Sequence, residues 1–492
     1  MRRDRCRFRR RSAYRRLHRC SAGLEDRDPG ENCPIRWHLR LLGAAIWLAG
    51  TSVQDRAGVA ESPEKARTYL RALLGDDQLE RQEAFVDTAP AVVELLEKDP
   101  NIEFEWRPFP DYYKLPGRMD SGRAINPVDL PIDRAGGAQQ QETLIGGRAL
   151  IGRLLLALEG SGHAILHTNT SARSLIVDGK RVVGVHATNL HGETLRIKAK
   201  YGVLLAAGGI EGNNEMRSAN NTPGKTQWSM GPQGANTGDL ITAAVEIGAG
   251  NGPARRSLVV PGGGNSRRPW SFHGWTPGRH HRRRARRTHL NESLPYDQFG
   301  RAMIARDKAT PTIPSYLVFD SREGEGILPA ISVPEATAAE HLAAGTWIQA
   351  DTIDALATAI GVPTANLSAT IARFNDFAKR GNDEDFTRGE DPYDLFFCPP
   401  SVSDDAPNPA LHAISQGPFY AARIVLSDLG TKGGLRTDTD GRVLRADGSN
   451  IEGLYAAGNT AASLSGRHYP GPGVPLGTAM VFSYRAVEHM TS

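Results

Sequence analysis

Cysteine is nearly absent, with 4 in 492 residues, three of them (Cys6, Cys20, Cys33) in the first 42 and only Cys398 in the body. No Cys-x-x-Cys pair occurs. This excludes a disulfide framework and a structural zinc site, and a reducing, cytoplasmic setting is expected. Long apolar runs are lacking as well. No stretch reaches the roughly 18 apolar residues that a membrane-spanning helix needs. The run Leu41-Leu42-Gly43-Ala44-Ala45-Ile46-Trp47-Leu48-Ala49 is too short and too far into the chain to read as a signal core.

Acidic residues are missing from 255–289, which holds 10 Arg and 4 His, and residues 1–42 hold 13 Arg against 5 acids. These two tracts create the net charge of +4, because the rest of the chain carries 36 basic against 50 acidic residues. The body is therefore acidic, which argues against a nucleic-acid partner. At 39% hydrophobic and 23% charged residues the composition is globular. Its length suggests two or three domains, since single cores stop growing at about 250–300 residues.

Order in the pattern begins at Ser62. Ser62-Pro63-Glu64 reads as a capped helix start with Pro at the first helical position, continuing through Tyr69, Leu70 and Leu74. A second helix is predicted over Gln82–Lys98. Residues 108–140, with five prolines, read as loop. Leu150, Leu154 and Leu158 recur at helical spacing in a helix starting near Gly147. Ser174–Val177, Asp178-Gly179 and Val182–Val185 form a hairpin signal. Gly202-Val203-Leu204-Leu205-Ala206-Ala207-Gly208-Gly209 reads as a buried parallel strand feeding a glycine turn. Helices are predicted near 335–345 and over 351–380, with Asp351 and Asn366 as caps, and again over 474–490. Strands are predicted at Gly434–Asp438 and Leu454–Ala457.

The chemistry concentrates near the C-terminus. Gly453-Leu454-Tyr455-Ala456-Ala457-Gly458-Asn459 ends a strand in a turn. Gly466-Arg467-His468-Tyr469-Pro470-Gly471-Pro472-Gly473 then leads into a helix. Free N–H groups at such a helix start suit an anion or an electron-rich ring.

This string resembles the C-terminal signature of the FAD-dependent 3-ketosteroid Δ1-dehydrogenases, which are fumarate reductase/succinate dehydrogenase-like flavoproteins. Further matches are Phe109-Pro110-Asp111-Tyr112-Tyr113, Ile145–Leu150, Gly202–Asn213, Asn291-Glu292-Ser293-Leu294-Pro295-Tyr296 and Ser427–Leu435. The resemblance implies an α/β fold: a Rossmann-like FAD-binding domain with an inserted α+β substrate domain. The expected division is 43–254 plus 432–492 for FAD and 255–431 for substrate. It also implies FAD as cofactor, a 3-ketosteroid substrate, and an unidentified electron acceptor.

The implied reaction removes a proton from C2 and a hydride from C1 of the steroid A ring. By resemblance, Tyr296 is the base and Tyr112 its hydrogen-bonding helper, with Tyr113 adjacent as the alternative. Tyr469 (hydroxyl) and Gly473 (N–H) would polarise the C3 carbonyl, with His468 as loop structure. A free phenol has a pKa near ~10, so a tyrosine base needs a neighbouring donor or a positive field. The implied FAD contacts are Ala172, Ala207, Gly208, Gly209, Asn213, Gly458, Asn459, Pro475 and Leu476. Arg148 reads equally as a flavin contact or a turn cap.

One expected motif is missing. Flavoproteins of this group open with strand, Gly-x-Gly-x-x-Gly and helix, where glycine amides cradle the pyrophosphate. Residues 1–42 contain no such motif. Read one nucleotide later, the codons from Pro29 to Leu41 permit an acidic residue followed by a glycine stretch. Trp37-His38 then forces a glycine, because TGG followed by C gives GGC. The tract 1–42 therefore reads as a shifted frame. The tract 255–289 reads as a second, since His280-His281-Arg282 permits Ile-Ile. The rival expectations are a related FAD oxidoreductase acting on another substrate and an inactive, frame-disrupted product.

Overall fold

The computed structural model describes residues 44–133, 141–231, 234–252, 259–261, 290–309, 311–321, 338–396 and 407–492. The tracts 1–42 and 255–289 lie outside these residues except for the strand Val259–Pro261, and so does the reading-frame expectation. The four cysteines also lie outside.

The described residues fall into two compact units. The first contains those up to Asn221, those of Gly231–Arg256 and Gly430–Ser492; the second contains Thr222–Met230 and those of Ser257–Leu429.

In the first unit a sheet runs in the order Arg442–Leu444, Asn450–Ala456, Arg181–Asn189, Thr170–Asp178. Val203–Leu205 joins it in parallel beside Asn450–Ala456, with Leu454 opposite Val203 and Ala456 opposite Leu205. The hairpin predicted around Asp178-Gly179 is present, and its strands are longer than the apolar residues alone indicated. Leu205, Val182, Leu454 and Ala456 are buried in one cluster with Ile241, Ala244 and Val443. A smaller sheet pairs Ile46–Trp47 with Ala124–Pro127 and the latter with Phe104–Trp106.

Helices Pro63–Leu74 and Leu79–Glu97 follow the predicted pattern. The Ser62 side chain accepts from the Lys65 amide, with Pro63 at the first helical position. The proline-rich loop reading of 108–140 was too sweeping. Ala124–Pro127 and Leu130–Asp133 are strands there, with Pro127 and Pro131 at paired positions of short ladders. Gly434–Asp438 is not a strand. It makes only isolated bridges, Leu435 with Asn251 and Ala461, and Thr437 with Val443.

In the second unit Ser315–Asp320, Phe419–Ile424 and Trp347–Ala350 form an antiparallel sheet with Phe419–Ile424 in the centre. One face packs on Leu290, Phe299 and Met303, the other on Leu356, Leu367 and Ile371. The predicted caps move by a residue or more. Thr352, not Asp351, accepts from Ala355 at the start of Ile353–Ala359. The helix Thr364–Arg380 starts after Pro363, so Asn366 lies inside its first turn.

Candidate functional site

Gly473 opens the C-terminal helix Val474–Thr491 with φ +83°, a conformation favourable only to glycine. A Cβ there would lie 1.8 Å from the Ala45 carbonyl oxygen. The bare backbone thus lets the helix start press against Ile46–Trp47. Its N–H donates to the Tyr469 hydroxyl at 3.2 Å. The Tyr112 ring lies 5.3 Å from the Tyr469 ring, tilted by 60°. Both tyrosines are buried. Three of the four predicted catalytic groups are therefore together in the first unit.

The chain around them is tied down by hydrogen bonds. The Pro470 carbonyl accepts from the Tyr112 amide at 2.9 Å and from the Tyr69 hydroxyl at 2.6 Å. The Tyr69 hydroxyl in turn accepts from the Tyr113 amide. The Tyr113 ring lies edge-on to His468, with ring centroids 5.8 Å apart. This favours Tyr112 over Tyr113 as the tyrosine beside Tyr469.

Beneath Tyr112 lies a buried ionic cluster. Asp111 accepts from Trp47 Nε1 at 2.8 Å, from the Met119 amide at 3.1 Å, and from Arg123 Nε and Nη2 at 3.0 and 2.8 Å. Arg123 Nη1 reaches Glu61 at 2.7 Å, and the side chains of Arg123, Asp111 and Glu61 are all fully enclosed. Burial pushes the Glu61 carboxyl up to about 7, against the opposing pull of Arg123.

A second cluster fixes the glycine turns. Thr460 Oγ1 accepts from the Ala207 amide at 2.8 Å and donates to the Gly208 carbonyl at 2.9 Å. Gly458-Asn459-Thr460 follows the strand Asn450–Ala456, so this hydroxyl joins the ends of two parallel strands. Thr431 Oγ1 accepts from the Ile210 amide, and Asn236 donates to Glu211 at 2.6 Å. Asn213 caps Asn214–Ala219.

Ala206 and Ala207 are exposed although Leu205 is buried, and Pro475 and Leu476 are half-buried at the helix start. Around Gly458 a Cβ would meet only Ala479, at 3.7 Å. Ala206, Ala207 and Gly458 therefore leave space at the carboxyl ends of these strands next to a helix N-terminus, which fits a dinucleotide-type cofactor, whereas Gly208 and Gly209 are closed in by Asn236 and Thr431. Ala172 lies in the hairpin strand Thr170–Asp178, opposite Ala187.

Tyr296 belongs to the second unit. It begins the helix Tyr296–Ala309 and is half-buried. The preceding turn is pinned by Glu292, which pairs with buried Arg388 at 2.8 Å. Arg388 also binds Asp383.

The model of the FAD binding domain matches residues 33–476. A 3-oxosteroid 1-dehydrogenase from Rhodococcus opacus is 46% identical, with 91% of this chain and 90% of that protein covered. The chain belongs to the FAD-binding 3-oxosteroid 1-dehydrogenase family. The crystal structure of a family member, 3-ketosteroid Δ1-dehydrogenase from Sterolibacterium denitrificans in complex with 1,4-androstadiene-3,17-dione, is similar, with a TM-score of 0.79 and 28% identity. It covers 97% of this chain and 96% of that one. The open conformation of a flavocytochrome c3 fumarate reductase shares the flavoprotein fold, with a TM-score of 0.60 and 19% identity over 92% of this chain and 71% of that one.

Sequence reasoning did not single out several buried polar residues around Tyr112 and Tyr469. Asp111 and Lys432 stand inside quoted motifs, where the adjacent tyrosines and glycines drew the attention. Glu61 and Arg123 carried no local signal, because only the fold brings them to Asp111.

Proposed function

We propose that this chain dehydrogenates the C1–C2 bond of 3-ketosteroids. The observation that carries the reading is the hydroxyl–amide pair of Tyr469 and Gly473 at a helix start, in a chain 46% identical to a 3-oxosteroid 1-dehydrogenase. A carbonyl oxygen that gains negative charge would accept from the Tyr469 hydroxyl and, by taking that hydroxyl's place as acceptor, from the Gly473 amide. As the C2–H bond breaks, charge moves onto the C3 oxygen, and the pair stabilises it. The 3.2 Å bond between the two groups holds both in place before a carbonyl arrives.

Tyr296 takes the C2 proton with Tyr112 as its hydrogen-bonding helper, and the Tyr112 ring packs against Tyr469. FAD, when bound, would supply the acceptor for the C1 hydride. Gly458, Asn459, Pro475 and Leu476 would hold it at the strand end and helix start, with Ala207, Gly208, Gly209 and Asn213 shaping the neighbouring turn. Loss of proton and hydride leaves a C1=C2 double bond.

The test is anaerobic addition of a 3-keto-4-ene steroid to the protein with FAD supplied in excess. Bleaching of the flavin with appearance of the 1,4-dien-3-one supports the reading. A flavin that stays yellow, with no dienone, sinks it.

A further inference from the structure

Lys432 is buried, within 4% of full enclosure. Its ammonium donates to Ser465 Oγ at 2.8 Å and to the His468 carbonyl. It also stands 5.4 Å from the centre of the Tyr469 ring. Its own carbonyl accepts from the Ser463 amide at 3.0 Å. Both ends of this residue therefore hold the segment that leads into Tyr469. A long, flexible side chain loses about 1.5–2 kcal/mol of rotamer freedom on burial, and a buried ammonium needs strong compensation. A lysine is thus a poor choice for loop support alone.

The ring contact supplies a second role. A cation on the face of an aromatic ring draws electron density towards itself. For a phenol this makes the O–H more acidic and a stronger donor. The effect grows where water is excluded, as it is around two buried side chains.

We propose that Lys432 is a positioning residue for Tyr469: it fixes the 465–469 turn and strengthens the Tyr469 hydroxyl as a donor to a ring ketone. This rests on the function proposed above. Lys432 touches neither substrate nor cofactor in this account and acts through Tyr469.

The experiment reads the carbonyl directly. The C=O stretch of a 3-13C-labelled 1,4-dien-3-one, which is not turned over, is recorded bound to wild type, Tyr469→Phe, Lys432→Met and Lys432→Arg. Wild type should lower the stretch relative to Tyr469→Phe. Lys432→Met should recover part of that difference and lose about tenfold in kcat, between the values for an exposed and a desolvated cation–ring contact, with KM changed less than twofold. Lys432→Arg should restore the lowered stretch. Ser465→Ala, a milder change that frees one ammonium contact, should shift it in the same direction by less, and serves if Lys432→Met does not fold.

A Lys432→Met stretch equal to wild type overturns the inference, as does an unshifted Ser465→Ala if that is the variant available. Equal stretches in wild type and Tyr469→Phe would instead remove the carbonyl-gripping role of Tyr469, and with it the reading beneath.

Discussion

The backbone amide of Gly473 donates to the hydroxyl of Tyr469 across 3.2 Å. Each group supports the other, so they should respond differently to substitution. Tyr469→Phe keeps the ring contacts with Tyr112 and Lys432 and removes one donor. Loss of a single oxyanion donor typically costs about 10²-fold or more in kcat, and that drop is expected with a modest fall in melting temperature, since the Gly473 amide loses its acceptor. Gly473→Ala should instead destabilise the protein. Its φ is +83° and the new Cβ would fall 1.8 Å from Ala45 O. The backbone conformation alone costs about 1 kcal/mol or more. Steady-state kinetics and thermal melts on the two variants separate these outcomes.

Glu61 makes stability depend on pH. Its carboxyl titrates near 7 when folded against 4.5 for the free group, because burial outweighs Arg123. The folded state therefore holds the proton more tightly than the unfolded chain. This favourable contribution is complete below about pH 4.5 and is lost as pH rises through about 7. The full shift corresponds to roughly 3 kcal/mol. Glu61→Gln should flatten that part of the stability profile between pH 5 and 8, measured by urea denaturation. A profile with the wild-type slope would show that another group titrates.

Much of this was legible in the sequence because it is local. The Ser62 cap, the hairpin at Asp178-Gly179 and the strand–glycine turns at Leu205 and Ala457 each depend on residues a few positions apart. The Gly473 position was legible only through the family resemblance, and its left-handed backbone and close approach to Ala45 appear with the fold. The ionic cluster was not legible. Glu61, Asp111 and Arg123 come from three separate segments and meet only through tertiary packing. The strand Ala124–Pro127 was hidden by its proline, whose position is set by the short sheet it enters. Thr352 won the cap from Asp351 because the helix begins at Ile353, one residue later than a cap at Asp351 requires.

Asp111 is the residue on which the Tyr112 segment rests. It binds Trp47, Met119 and Arg123 at once. Asp111→Ala leaves Arg123 with Glu61, the Gly117 carbonyl and the faces of Trp47 and Tyr69, and removing one partner of a buried pair costs about 3–5 kcal/mol. The double variant with Arg123→Met should lose clearly less than the two single losses added together, since the uncompensated charge is gone. Additive losses in chemical denaturation would contradict the cluster.

Tyr296→Phe removes a hydroxyl from a half-buried position at the start of the helix Tyr296–Ala309. As the proposed base, its loss should lower kcat by about 10²–10⁴-fold, the range for a positioned acid or base. The melting temperature should stay near wild type, since the ring remains. A kinetic isotope effect with C2-deuterated substrate should rise as proton removal becomes slower. Wild-type turnover in Tyr296→Phe would move the base elsewhere.

Cofactor retention tests the missing glycine motif. The described strand ends at Ala207–Gly209 and Gly458–Thr460 offer one side of a dinucleotide cradle, held together by Thr460. The amides of a Gly-x-Gly-x-x-Gly turn, which normally receive the pyrophosphate, have no counterpart in residues 1–42. The chain as written should therefore leave gel filtration with well under one FAD per protein. A chain with the frame restored by a single-base change upstream of Gly43 should retain close to one. The ratio of flavin to protein absorbance measures both. Full retention by the unaltered chain would show that the remaining turns suffice, and a gene in which no single-base shift yields the glycine motif would remove the frame explanation altogether.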